Sequence, residues 1–389
     1  MISFIDLQSQ FKRIQPELEE RVIAVLRSGQ YILGPEVASF EQKLAEFAKA
    51  KHAVACSSGT DALMIALMAK GIGPGDAVFT TPFTYFATAE VIALLGATPI
   101  FVDIDISTFN IDPAALAATI IALKEGDIKN SALPKWPVEK LRGLTPKGVI
   151  TVDLFGLPAD HERINTIAVE HGLFVLEDAA QGFGGEVNGR RAGTLAEVGC
   201  TSFFPAKPLG CYGDGGALFT DDDDLAELFR SIRVHGQGSD RYENVRVGIT
   251  GRLDALQAAI LIPKLGIFPD ELSERQRVAA TYEKLISSSA VDVVTPQVPD
   301  GYYSAWAQYS VLATDQAARQ VILDRLKLVG VPTMIYYKKP LHLQKAFANL
   351  GYQVGDFPVS EQASDRIFSL PMHPYLDNET IAMIVEAMA

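Results

Sequence analysis

Cysteine is scarce, with only Cys56, Cys200 and Cys211 in the chain. So small and odd a number excludes a disulfide framework and points to a reducing compartment, with Cys56 and Cys200 read as small core residues. Neither the cysteines nor the six histidines fall into CxxC or HExxH spacing, so no metal site is expected. No uninterrupted apolar run approaches the roughly 20 residues a membrane span needs. The first twenty residues lack the basic start and apolar run of a secretory signal. Positive charge is in deficit, because 34 Lys and Arg against 47 Asp and Glu leave a formal charge of −13. That balance disfavours a nucleic-acid or anionic-membrane partner, since phosphate surfaces are held by clustered cations; a local pocket for one small anion stays compatible with it. No internal repeat or low-complexity linker interrupts the chain, and Phe183-Gly-Gly185 does not supply the Gly-x-Gly-x-x-Gly turn of a nicotinamide-binding strand. A cytoplasmic globular enzyme or binding protein remains.

A length of 389 residues provides for a large core and about two domains. Helical spacing of apolar residues over 13–27 and 36–50 is bounded by the Ser28-Gly29-Gln30 and Leu33-Gly34-Pro35 breaks. Short apolar runs at 52–56, 77–80, 99–103, 148–153 and 173–177 then alternate with helical patterns at 60–70, 88–95 and 160–171. This alternation predicts βαβ units and a largely parallel sheet buried on both faces. Two further strands, 200–204 and 216–220, bracket a loop rich in Gly and Pro. The polar segment 124–147 is broken by three prolines and reads as a surface insertion away from the chemistry. Beyond 254–265 the pattern changes to a helix at 269–287, strands at 306–313 and 331–337, and helices at 315–328 and 377–388. These predict a large domain over 1–267 and a smaller α+β domain over 268–389.

The densest chemistry lies in Ser202–Gly216, where Lys207 stands between two nearby prolines and a glycine-rich loop. A lysine removed from water loses its proton more readily and becomes a nucleophile toward an aldehyde. Alone, it reads as a surface-loop lysine; the surrounding motif reverses that reading. Asp178 follows the apolar run Leu173–Glu177, at the carboxyl edge of a predicted parallel strand, where open α/β sheets bind ligands. A carboxylate there can hold a pyridine nitrogen protonated, or can simply cap the next helix. Gln181, one turn on, can reach a ring hydroxyl or face solvent. Cys56–Ala62 is a strand-to-helix junction of small residues, suited to a phosphate at the helix N-terminus or to an ordinary cap. Ser202 could bind the same phosphate, and Tyr85 could lie on a cofactor ring or belong to the core.

With phosphate loop, acid, serine and lysine in this order, the chain resembles the DegT/DnrJ/EryC1/StrS sugar aminotransferases, within the pyridoxal-phosphate (PLP) enzymes of fold type I. The resemblance runs over nearly the whole chain and rests on Phe4–Leu7, Gly29–Pro35, Gly59–Leu63, Glu177–Gln181, Ser202–Gly216 and Ser369–His373. It implies an α/β, aspartate-aminotransferase-like fold. It further implies that Lys207 holds PLP as a Schiff base and then moves the proton of the 1,3-shift. By the same resemblance Asp178 pairs with the pyridinium, Gln181 meets the ring hydroxyl, Tyr85 stacks, and Gly59, Thr60 and Ser202 bind phosphate. The family looks dimeric, with Gly248–Arg252 of a neighbouring subunit completing the site. Many relatives carry Asn where this chain has Thr250, and His-Tyr-Pro where it has Tyr336-Tyr337-Lys338. Similarity is nearest to enzymes that aminate C3 of a UDP-linked 2-acetamido-3-keto glucose or its uronate, for cell-surface polysaccharide or lipid A precursors. Glutamate is the implied donor and pyridoxamine phosphate the implied intermediate. His235, Arg252, Tyr336, Tyr337 and His342 are candidate contacts to the nucleotide sugar, each also readable singly as surface or core. A UDP- or dTDP-linked 4-keto sugar is an alternative substrate. Dehydration is a further class, but those relatives replace the lysine with histidine. A non-enzymatic sensor would lack a use for an intact acid and lysine pair.

Overall fold

The apolar runs of the first half pair into one seven-stranded sheet in a computed structural model that describes residues 2–126, 132–240 and 242–389. Its strands are β1 (His52–Cys56), β2 (Asp76–Thr80), β3 (Thr98–Phe101), β4 (Thr145–Val152), β5 (Phe174–Asp178), β6 (Val198–Ser202) and β7 (Gly216–Thr220). They lie in the order β1-β7-β6-β5-β4-β2-β3, and only β7 runs antiparallel to its neighbours. Residues alternate between the two faces, as a period of two requires. Val54, Val78, Ile150 and Leu176 join one core cluster, whereas Ala53 and Ala55 or Ala77 and Phe79 join clusters on the opposite side. All three cysteines are free and buried in this framework.

Two structural departures concern the later chain. The helix expected at 269–287 is the later part of one 33-residue helix, Ala255–Ser287, with Pro263 and Pro269 inside it. Each interior proline costs about 3 kcal/mol. The stripe Leu261, Ile262, Leu265, Phe268 and Leu272 is buried against the sheet cluster and offsets that cost. Farther along, Val278, Tyr282 and Ile286 enter the core around Tyr309–Ala313, so one continuous helix contributes to both clusters. The strand expected at 331–337 is absent among the described residues there, where Met334 makes a single bridge to Ser369. Ile367–Leu370 pairs with Tyr309–Ala313 instead.

Residues 127–131 of the 124–147 segment lie outside the described residues. The remainder is more than a surface insertion. It contains the helix Val138–Arg142, buries Leu133 and Leu141, and runs into β4. Trp136 Nε1 donates to the Asn349 carbonyl at 2.8 Å, and Lys135 pairs with Asp356 at 2.9 Å. Among the described residues no helix is long and apolar enough to cross a membrane.

Candidate active site

The carboxyl ends of β4, β5 and β6 open into a cavity of about 310 Å³. Parallel register sets Asp178 beside Val152 and Cys200, at the last position of β5. Its side chain is only 6% exposed. Thr88 donates to Oδ2 at 2.8 Å and the Ala180 N–H to Oδ1 at 3.2 Å. Thr88 is itself fixed 3.0 Å from the Thr84 hydroxyl. Burial raises the Asp178 pKa, while the Thr88 bond and the Lys207 charge oppose the rise.

Lys207 lines the same cavity, half-buried, on the loop between β6 and β7. A turn bond from its N–H to the Phe204 carbonyl (2.8 Å) and the buried Pro208-Leu209-Gly210 that follow hold it in place. The surrounding protein desolvates the ammonium and lowers its pKa, against the pull of Asp178. No ion pair among those of the described residues joins the two, so the space between amine and carboxylate stays open to a ligand.

At another wall Ser58 caps the helix Gly59–Ala69, its hydroxyl accepting from the Asp61 N–H at 3.0 Å. The Gly59 and Thr60 N–H groups have no acceptor among the described residues. A Cβ at position 59 would lie 2.6 Å from the Ser202 Cβ, so glycine alone lets this turn close against β6. Ser202 lines the cavity beside it. Unpaired N–H groups, the helix dipole and hydroxyls suit a phosphate, and a dry carboxylate suits a protonated ring nitrogen. The donor set thus fits PLP.

Gln181 is oriented by two bonds: its Oε1 accepts from the Phe155 N–H and its Nε2 donates to the Tyr337 hydroxyl, both at 2.9 Å. Tyr336, Tyr337 and the 62%-exposed Tyr85 complete this side of the cavity. Burial raises the Tyr337 phenol well above its usual range.

Four sequence candidates do not line the cavity of their own chain. His235 Nε2 lies 2.7 Å from the exposed Thr250 hydroxyl. Arg252 bridges Cys56 through its backbone, beside the Ser57 to Gly251 bond. His342 is buried, bonded to Glu361 at 3.0 Å and packed at a tilt against the Phe357 ring. Conversely, Ser58, Thr84, Asp214 and Gln308 line the cavity without having been singled out, and Thr88 holds Asp178. The Thr84 and Thr88 pair had little signal, because Thr84 lies in the bend before the helix Ala87–Leu94 and the two meet only once that bend is folded. Gln308 had none, since it arrives from the far end of the sequence.

The sequence model of the DegT/DnrJ/EryC1/StrS aminotransferase family matches residues 12–389. A Pseudomonas aeruginosa protein named UDP-2-acetamido-2-deoxy-3-oxo-D-glucuronate aminotransferase is 47% identical over 390 aligned residues, covering 100% of this chain and 99% of that one. A Geobacillus stearothermophilus protein named pleiotropic regulatory protein is 43% identical, with 100% and 98% covered. The crystal structure of a DegT DnrJ EryC1 StrS aminotransferase from Brucella abortus superposes with a TM-score of 0.92 at 46% identity, covering 100% of this chain and 98% of that one.

Proposed function

Because this chain belongs to the DegT/DnrJ/EryC1/StrS aminotransferase family, we propose that its cavity transfers an amino group from glutamate to C3 of a UDP-linked 2-acetamido-3-keto sugar. It is a PLP-dependent aminotransferase. The convergence of Lys207, Asp178 and the Gly59-Thr60 turn on one cavity carries the reading. When bound, PLP supplies an aldehyde that receives the amino group and a protonated ring that withdraws electrons from the neighbouring carbon.

Each side chain then has a definable task. Lys207 presents a neutral amine, favoured by burial, and moves a proton at Nζ during the 1,3-shift. Asp178 holds the proton on the ring nitrogen, and Thr88 fixes the carboxylate that does so. Gly59, Thr60 and Ser202 bind phosphate, Gln181 directs an amide N–H to the ring hydroxyl, and Tyr85 covers the ring. Tyr336 and Tyr337 line the sugar side, while His342 serves the core.

Thr250, Arg252 and His235 lie outside their own cavity, which supports a homodimer in which this loop completes the neighbour's site. The UDP-linked 3-oxo uronate in the name of the Pseudomonas aeruginosa relative supports the substrate, and with it a cytoplasmic role in supplying lipopolysaccharide or related cell-surface polysaccharide precursors. The name of the Geobacillus stearothermophilus relative favours a second reading, regulation. The intact lysine and acid favour catalysis. A panel of UDP- and dTDP-linked 3-keto and 4-keto sugars, incubated with glutamate and read by 2-oxoglutarate formation, tests the reading. Turnover should be highest with the UDP-linked 3-keto sugars; preference for a 4-keto sugar, or no turnover with any, defeats it.

A further inference from the structure

Behind the cavity three titratable side chains are packed away from water: Asp153 and Glu177, fully buried, and His161, 3% exposed. Alternation along β5 turns Glu177 to the side opposite Asp178, and Asp153 directly follows β4. One ligand atom from each of the three lies within 4.8 Å of the others. Both Glu177 oxygens accept backbone N–H bonds, from Gly193 at 2.5 Å and Leu195 at 2.8 Å. Asp153 Oδ1 accepts from the Ala159 N–H at 2.9 Å and lies 2.8 Å from His161 Nε2. Asp153 Oδ2 is buried without a hydrogen-bond partner among the described residues, and the Asp153 and Glu177 carboxyls bring an oxygen each to within 4.8 Å of one another. Ionised carboxylates offer only acceptors, so two charged groups this close in a dry site repel each other unless a proton sits on one of them.

We propose that Asp153 and Glu177 share one proton, that neutral His161 donates to Asp153, and that the trio acts as a positioning unit for Asp178. The assignment rests on the aminotransferase reading only for the role given to Asp178. The link is direct: the Asp153 N–H donates to the Asp178 carbonyl at 3.1 Å, tying the ends of β4 and β5. A Cβ at Gly182 would lie 2.3 Å from the Asp153 Cβ, so the turn after Gln181 closes tightly over the pair. With the proton in place the pair carries one negative charge. Without it, two charges in a dry site would repel each other and drive Asp178 toward neutrality.

Other groups acting on the trio are few. Asp178 faces Asp153, Tyr302 senses Asp153, Cys200 senses Glu177, and Asp160 and Arg190 act on His161 with opposite signs. Burial and mutual repulsion raise the proton affinity of the Asp153 and Glu177 pair, and burial holds His161 below its usual value. Carboxyls that hold their protons more tightly when folded favour folding on the acid side. That contribution is complete below the unfolded carboxyl pKa and is lost as pH rises to the raised pKa of the folded pair.

The test uses the full-length enzyme loaded with PLP. The wild-type unfolding midpoint should fall from about pH 6 to about pH 9, and an infrared C=O band of a protonated carboxylic acid should persist near neutral pH. Asp153→Asn places a permanent N–H toward Glu177. It should remove the band and most of the pH slope while holding PLP at wild-type affinity. Asp153→Ala, which breaks the contact, should weaken PLP binding by roughly tenfold. A flat wild-type midpoint, or an Asp153→Asn slope equal to wild type, overturns the proposal. So does a stoichiometric metal ion that His161→Ala loses, because a cation would then hold the carboxylates. Should Asp153→Asn not fold, the wild-type band decides: its presence supports proton sharing and its absence ends it. If the wild type takes up no PLP, the aminotransferase reading fails, and band and slope still decide the proton.

Discussion

At Asp178 two opposing effects meet, since burial disfavours its charge while Thr88 and Lys207 restore it. The Thr88 hydroxyl is therefore more than packing. Thr88→Val keeps the shape and removes one donor, and a hydrogen bond to a charged group contributes about 1.5–3 kcal/mol. PLP affinity should drop by roughly tenfold to a hundredfold, measured by titrating apoenzyme and following cofactor absorbance. Unchanged affinity would mean that Asp178 does not depend on this bond. Lys207 and Asp178 are legible in the sequence because each sits in a short motif with its own local logic: a lysine in a proline- and glycine-rich loop, and an acid ending an apolar run. His342 misleads for the opposite reason. A histidine near polar residues looks available, but the fold pairs it with Glu361, nineteen positions away, inside an aromatic cluster.

At the level of elements, the strand-helix junction at Ser58 does two jobs. Its hydroxyl accepts from the Asp61 N–H, and the Gly59 and Thr60 N–H groups are left without an acceptor among the described residues. Ser58→Ala should cost about 1 kcal/mol of stability through the lost cap. Ser58→Asp keeps a capping oxygen but adds a negative charge where phosphate belongs. Apoenzyme unfolding should be restored toward wild type in Ser58→Asp, while PLP affinity falls below that of Ser58→Ala. Parallel losses in both properties and both variants would show that the junction is a cap alone. This junction and the alternating strands are readable because period and turn chemistry are local. The Ala255–Ser287 helix is not, because two prolines argue locally for a break. Only tertiary burial of Ile262, Leu265 and Phe268 overrides them, and that burial depends on β1 and β7, whose contacts cannot be seen in a window of neighbouring residues.

On the scale of the whole molecule, the loop carrying Thr250 and Arg252 is built beside the phosphate turn, since Arg252 bridges Cys56 and Gly251 accepts from Ser57. Yet neither side chain enters the cavity it adjoins. Large apolar groups nearby in sequence stay open to solvent, with Tyr242 90% and Val247 84% exposed, and Tyr31 and Ile32 are exposed next to Asp254 and Ala255. Exposed apolar surface of this kind suits the association face of the proposed homodimer, in which a two-fold axis would carry each loop to the other subunit's site. Subunit mixing tests that geometry. Lys207→Ala and Arg252→Ala homodimers should each be nearly inactive in sugar amination. In a mixed dimer one site unites both substitutions and the other unites neither. Random reassortment makes half the dimers mixed, so activity should recover to about a quarter of wild type. If Arg252 served its own subunit, every site would keep one substitution, and mixing would restore nothing.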